Sequence, residues 1–180
     1  MTDLDGARYP IGRFQRCVGP LNRQQRTRLI GDIERAPSEI RSLVEPLTEA
    51  QLETRYREDG WTIRQVVHHV PDSHMNSYVR MKLAVTESSP PRINPYDEAR
   101  WAELADAMLP VAVSLDLLTA LHTRWVRFLR SLSDEDFNRS YLHPDLGAFP
   151  LYDALALYAW HGKHHTAHIR NALRIRGFQD

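Results

Sequence analysis

Several common features are scarce in this chain, and each absence narrows its function. There is one cysteine, Cys17, in 180 residues. No disulfide can close within the chain, and a cysteine-rich structural zinc site is excluded. A reducing cytoplasm is the expected compartment. Cys17 has no histidine near it in sequence and is not read as a nucleophile. Charge of either sign is not in excess: 23 Lys and Arg balance 23 Asp and Glu. Nucleic-acid binders usually carry a basic surplus or face, so no nucleic-acid partner is expected. No apolar run approaches the roughly 18 residues of a membrane span, and residues 1–10 lack the apolar stretch of a signal peptide. No internal repeat or low-complexity tract is visible.

What remains is an ordinary globular balance, 42% apolar and 26% charged. Its length suits one domain, residues 1–180, that buries roughly 70% of its unfolded surface. Residues 1–20 read as an extended lead. Leu29, Ile33, Ala36, Ile40, Leu43, Val44 and Leu47 recur at helical spacing, and Pro37 is expected to kink or split that helix. Thr48 reads as the cap of a short turn. Thr62 and Gln65 have the spacing of a capping box. The helix they open carries Ile63, Val66, Val67, Val70, Ser77, Tyr78, Met81 and Val85 on one side, with Pro71 expected to bend it. Residues 88–95 read as a loop and 96–109 as irregular or short-helical. A third long helix lies within residues 110–133, with a short helical turn at 133–137. Residues 140–151 read as a loop or small hairpin. A fourth long helix runs from about 151 to 176, with Gly177 as its stop. The expected fold is all-α, a four-helix bundle with long crossover connections, and the link between the second and third long helices is long enough to cross it.

Nine histidines are unusual in such a chain. They gather as His68, His69 and His74, and as His161, His164, His165 and His168. His161 and His165 are four apart, which puts both imidazoles on one helical face, able to share a metal ion. Their stripe also holds Ala154, Tyr158, His168 and Ala172, which is the core face. A catalytic zinc site usually takes three protein ligands and leaves one position open. The third ligand comes from another helix, and periodicity leaves His68, His69 and His74 all in contention. His122 and His143 stand alone and read as surface or structural. Trp61, Tyr78, Trp125, Tyr158 and Trp160 read as core. Asp72, Ser73 and Asn76 are either partners of a metal ligand or a polar face.

The run from Gly60 to Ser77, which includes His68-His69 and His74, resembles the YfiT branch of the DinB-like superfamily. So does the run from Leu157 to Ile169, and Tyr9-Pro10-Ile11-Gly12 and Asn94-Pro95-Tyr96 also fit. The resemblance spans nearly the whole chain. It implies a DinB/YfiT-type bundle holding one divalent ion, zinc or nickel, on three histidines. Carried onto this sequence these are His69, His161 and His165. It also implies a homodimer and a small-molecule substrate. The implied activity is that of a metal-dependent hydrolase that activates water. The alternatives are an S-transferase using a low-molecular-weight thiol such as bacillithiol or mycothiol, and a non-catalytic, metal-stabilised bundle. One departure is Pro71, where the family more usually has a small helix-former. No general base is evident.

Overall fold

Four amphipathic segments each need an apolar face covered, and they cover one another. The computed structural model describes residues 3–175 and Gly177. Its long helices are α2 (Arg23–Val44), α4 (Ile63–Thr86), α6 (Val111–Ser131) and α8 (Leu151–Ile175). Between them lie the short helices α1 (Asp3–Arg8), α3 (Glu49–Leu52), α5 (Glu98–Trp101) and α7 (Asp134–Asn138) and a 3₁₀ turn, Ala105–Met108. Strands β1 (Ser140–His143) and β2 (Gly147–Pro150) form an antiparallel hairpin that pairs Ser140 with Pro150 and His143 with Gly147. Arg176 lies outside the described residues. Among those residues, no helix is long and apolar enough to cross a membrane.

The expected bundle is present, with two differences. Residues 3–8 of the expected extended lead are helical, and the segment that follows is largely irregular. Asp153 in α8 fixes that segment, accepting from Arg16 Nε at 2.8 Å and from the Cys17 backbone N–H at 2.8 Å. The second difference concerns the crossings. α2 packs along α6 and α8, and α4 along the same two helices. The sequential pairs α2–α4 and α6–α8 therefore lie across the bundle diagonals. Residues 45–62 and 132–150 make the crossings, while residues 87–110 join packed neighbours.

The helix starts follow local chemistry. Asn22, Thr48, Thr62 and Ser133 each accept from the backbone N–H three residues on, and the residue there reaches back to the cap's own N–H. Each such box satisfies two donors that a helix start would orphan. Neither proline ends its helix: α2 continues through Pro37 and α4 through Pro71. The turn before α4 needs a glycine at position 60, where a Cβ would lie 2.7 Å from Arg57 Cγ and 3.2 Å from its carbonyl oxygen. Arg64 of α4 is 6% exposed and holds α3 in place through Glu53, at 2.6 Å, and Glu49.

Two apolar clusters fill the interior. One gathers Ile33, Met81, Trp125, Phe149 and Leu155; the other gathers Ile40, Val44, Ile63, Leu118 and Ile169. Each long helix contributes to both. The histidines fall mainly where each helix passes from one cluster to the other. Trp125 is fully buried, and its indole N–H is placed on Met81 Sδ at 3.3 Å. Ile40 is also fully buried, so Ile40→Ala is expected to lower the unfolding free energy by about 2–5 kcal/mol. Urea denaturation would read this as a lower midpoint at unchanged slope; an unchanged midpoint would contradict the packing described here.

Candidate metal centre

Where the two clusters meet, α4 and α8 face each other and bring imidazoles together. His69, His161 and His165 each offer a ring nitrogen, and these nitrogens all lie within 4.8 Å of one another. The His69 and His161 Nε2 atoms are 3.3 Å apart. Two nitrogens about 2.0–2.1 Å from one tetrahedral zinc ion stand about 3.3–3.4 Å apart, so this pair fits. The ring centroids of His161 and His165 are 4.4 Å apart, and those of His69 and His165 are 4.9 Å apart. Pro71 does not carry His69 away from the group. Among the described residues, no carboxylate or thiolate joins the set.

The protonation states also suit a metal. Burial is the first cause that lowers the pKa of all three rings, and neighbouring imidazoles add to it. His69 is pushed down to about 4. Metals bind the neutral imidazole, and these rings are neutral at pH 7.

The other two candidates for the third ligand have separate partners. His68 Nδ1 lies 2.7 Å from Ser114 Oγ and its Nε2 3.1 Å from the Leu109 carbonyl. His74 is fully buried, between His122 and His161. His122, read as surface or structural, is 2% exposed and is engaged at both nitrogens. His143 sits on the hairpin. Ser73 approaches the group, its Oγ 3.4 Å from His161 Nε2. Cys17 is set apart: burial, then the hydrogen bond to Asp153, push its thiol up to about 11. That is the reverse of what a nucleophilic thiol needs.

The three histidines open on a cavity of about 520 Å³. Its wall is aromatic, with Tyr9, Tyr56, Trp61 and Trp160, and Arg8 and Arg57 also line it. Two tryptophans read as core, Trp61 and Trp160, are thus wall, whereas Trp125 and Tyr158 are buried. Trp61 packs 4.7 Å from the His69 ring, and Trp160 stacks on His164 at 4.3 Å. A smaller cavity of about 120 Å³ lies along His68, His69 and Asp72. There, burial and then the charge of Asp106 push the Asp72 carboxyl up to about 6. Sequence periodicity could place Asp72 near His69 but could not supply its burial.

The depressed histidines predict acid sensitivity. His122 and His168 are pushed down to about 4 in the fold, against 6.5 for an unperturbed ring. Between those pH values the unfolded chain binds more protons than the folded one, so stability is retained above about 6.5 and is lost as pH falls towards 4. Urea midpoints of chelator-treated protein are expected to fall steadily from pH 7 to 4.5. A flat profile would contradict the burial of these rings.

Comparison with known proteins places this geometry. The model of the DinB superfamily matches residues 32–169. A Bacillus cereus (strain AH820) protein named "Putative metal-dependent hydrolase" is 53% identical over 176 residues, covering 98% of each chain. A Bacillus mycoides (strain KBAB4) protein of the same description is 52% identical over the same span. Among solved structures, YfiT from Bacillus subtilis superposes with a TM-score of 0.91 at 45% identity, covering 96% of this chain and 98% of that one. It is described as a "probable metal-dependent hydrolase with an unusual four-helix bundle topology". A mycothiol-dependent maleylpyruvate isomerase shares the fold alone, with a TM-score of 0.63 at 15% identity over 78% of this chain and 59% of its own. By its sequence match, its helix arrangement and its likeness to YfiT, this chain belongs to the DinB superfamily.

Proposed function

We propose that the protein is a metal-dependent hydrolase of small molecules, with one divalent ion held by His69, His161 and His165. The observation that carries this reading is the convergence of three neutral imidazoles, without a fourth protein ligand among the described residues, at an open cavity. A closed structural site would show four ligands. Zinc and nickel both suit three imidazoles. When bound, such an ion supplies Lewis acidity and lowers the pKa of water towards neutrality. The names of the 52–53% identical relatives support the same reading.

The residues around the site divide the remaining tasks. The cavity is of the size that encloses a small molecule, about 300–1,000 Å³. Tyr9, Tyr56, Trp61 and Trp160 offer flat apolar faces for a substrate body. Arg8 and Arg57 offer charge to an anionic substituent. Burial pushes the Asp72 carboxyl up to about 6, and Asp72 shares the smaller cavity with His69, which suits it to hold and return a proton. A thiol could use the same three ligands, since coordination deprotonates it. The thiol-dependent neighbour shares the fold alone, so hydrolysis is the preferred reading.

Elemental analysis of untagged protein tests the site. Wild type is expected to carry about one zinc or nickel ion per chain, and His161→Ala and His165→Ala to lose it. His68→Ala should keep it, because His68 is committed to Ser114 and Leu109. Loss in His68→Ala equal to that in His161→Ala would show the wrong histidine of the pair had been chosen. Ester and amide hydrolysis by the loaded enzyme, absent in His161→Ala, supports the hydrolase. Turnover only with an added low-molecular-weight thiol would replace it with the transferase.

A further inference from the structure

A chain of ring contacts runs from the candidate centre to the far side of the bundle. His161 Nδ1 lies 3.0 Å from His74 Nε2, His74 Nδ1 lies 2.7 Å from His122 Nε2, and His122 Nδ1 lies 2.6 Å from the backbone carbonyl of Ile33. The His74 and His122 planes are within 11° of parallel, with centroids 4.9 Å apart. A 2.7 Å contact spans that separation only if the two nitrogens point at each other, so the rings meet edge to edge.

The end of the chain decides its direction. A carbonyl can only accept, and a neutral imidazole has one donor and one acceptor. His122 must therefore donate from Nδ1, which leaves its Nε2 to accept from His74 Nδ1. His74 Nε2 must then accept from His161 Nδ1. The one remaining nitrogen, His161 Nε2, carries a lone pair and no proton, and it faces His69 Nε2 at 3.3 Å and Ser73 Oγ at 3.4 Å. Burial lowers the pKa of His74, His122 and His161, which keeps the rings neutral at pH 7.

The Ile33 carbonyl is available for a reason written in the sequence. Inside α2 it would accept from the N–H four residues on, but that residue is Pro37, which has none. His122 takes the vacated acceptor. The second α8 ligand has a shorter version of the same device. His168 Nε2 lies 3.1 Å from the Arg8 carbonyl, and its Nδ1 lies 3.4 Å from His165 Nδ1. By the same logic His165 donates from Nδ1 and keeps Nε2 bare.

We infer that His74 and His122, anchored on the carbonyl that Pro37 frees, are positioning residues that lock His161 in the Nδ1–H tautomer, with His168 and the Arg8 carbonyl doing the same for His165, so that both α8 imidazoles present Nε2 to the ion. This rests on the metal reading above and goes beyond it. It assigns work to a histidine two rings from the centre and to a proline on a helix that carries no ligand. Second-layer partners of this kind typically change metal affinity by about 10–100-fold.

Two measurements test it. Nitrogen-15 NMR of chelator-treated wild type, at pH 7, should show the Nδ1–H tautomer at His74, His122 and His161, and the Nε2–H tautomer at His168. This reading needs no metal and no activity. Nε2–H at His74 or His122 would overturn the relay. Zinc and nickel titrations then compare variants. His122→Phe removes both contacts and is expected to weaken binding by about 10–100-fold. His122→Gln retains a donor and an acceptor and is expected to restore most of the loss. Pro37→Ala returns an N–H to the Ile33 carbonyl, keeps the helix, and is expected to weaken binding by a smaller factor. Wild-type affinity in both His122→Phe and Pro37→Ala would overturn the positioning role even if the tautomers are as stated. A wild type that binds neither ion would overturn the metal reading and the positioning role together, while the tautomers would still report whether the relay exists.

Discussion

Buried imidazoles set the terms for this structure. A neutral ring taken out of water brings one donor and one acceptor, and leaving either unmade costs about 1–3 kcal/mol. Seven of the nine histidines are buried and His161 is half-buried. The bundle meets much of the demand by placing most of the rings against one another, in a layer between two apolar clusters, although His164 Nδ1 is buried without a hydrogen-bond partner. Backbone carbonyls of Ile33, Leu109 and Arg8 terminate the contacts. Apolar packing above and below this layer excludes water, lowers the pKa values, and so keeps the rings in the form that a metal takes.

The architecture supplies the neighbours this layer requires. Because α2 and α4 lie on a diagonal, α4 faces both α6 and α8. It can hold His69 towards α8 and His74 towards both α8 and α6. A simple up-and-down bundle would make α2 and α4 adjacent. The diagonal order lets one helix take part in the candidate centre and in the relay behind it.

Much of the fold was legible because its signals are local. The capping box at Thr62 and Gln65, the helical stripes and the turn residues before β2 all act within a few positions. The spacing of His161 and His165 likewise put them on one face. The third member was not legible from periodicity. His69 stands out from His68 and His74 only when the partners of the other two are seen, and these lie 46 and 48 residues away in sequence, on Ser114 and His122. The resemblance to YfiT-like chains pointed to His69 without giving that reason. His122 was unreadable for the same cause: its acceptor, the Ile33 carbonyl, is 89 residues distant. Pro37 looked like a defect in a helix, since sequence patterns do not show which tertiary donor replaces a lost backbone one. The diagonal crossings were misplaced because loop length limits what a connection can reach but does not say where it goes.

The diagonal wiring also bears on how the chain assembles. His69 and His161 are 92 residues apart in sequence, and α2 finds its main packing partners in α6 and α8. Contacts of such long range slow folding relative to bundles built from adjacent hairpins. During synthesis, α2 and α4 would emerge with their apolar faces uncovered, and His69 would have no companions until α8 left the ribosome. An ion held by His69, His161 and His165 would therefore be loaded late, because the set is complete only once the last long helix has docked.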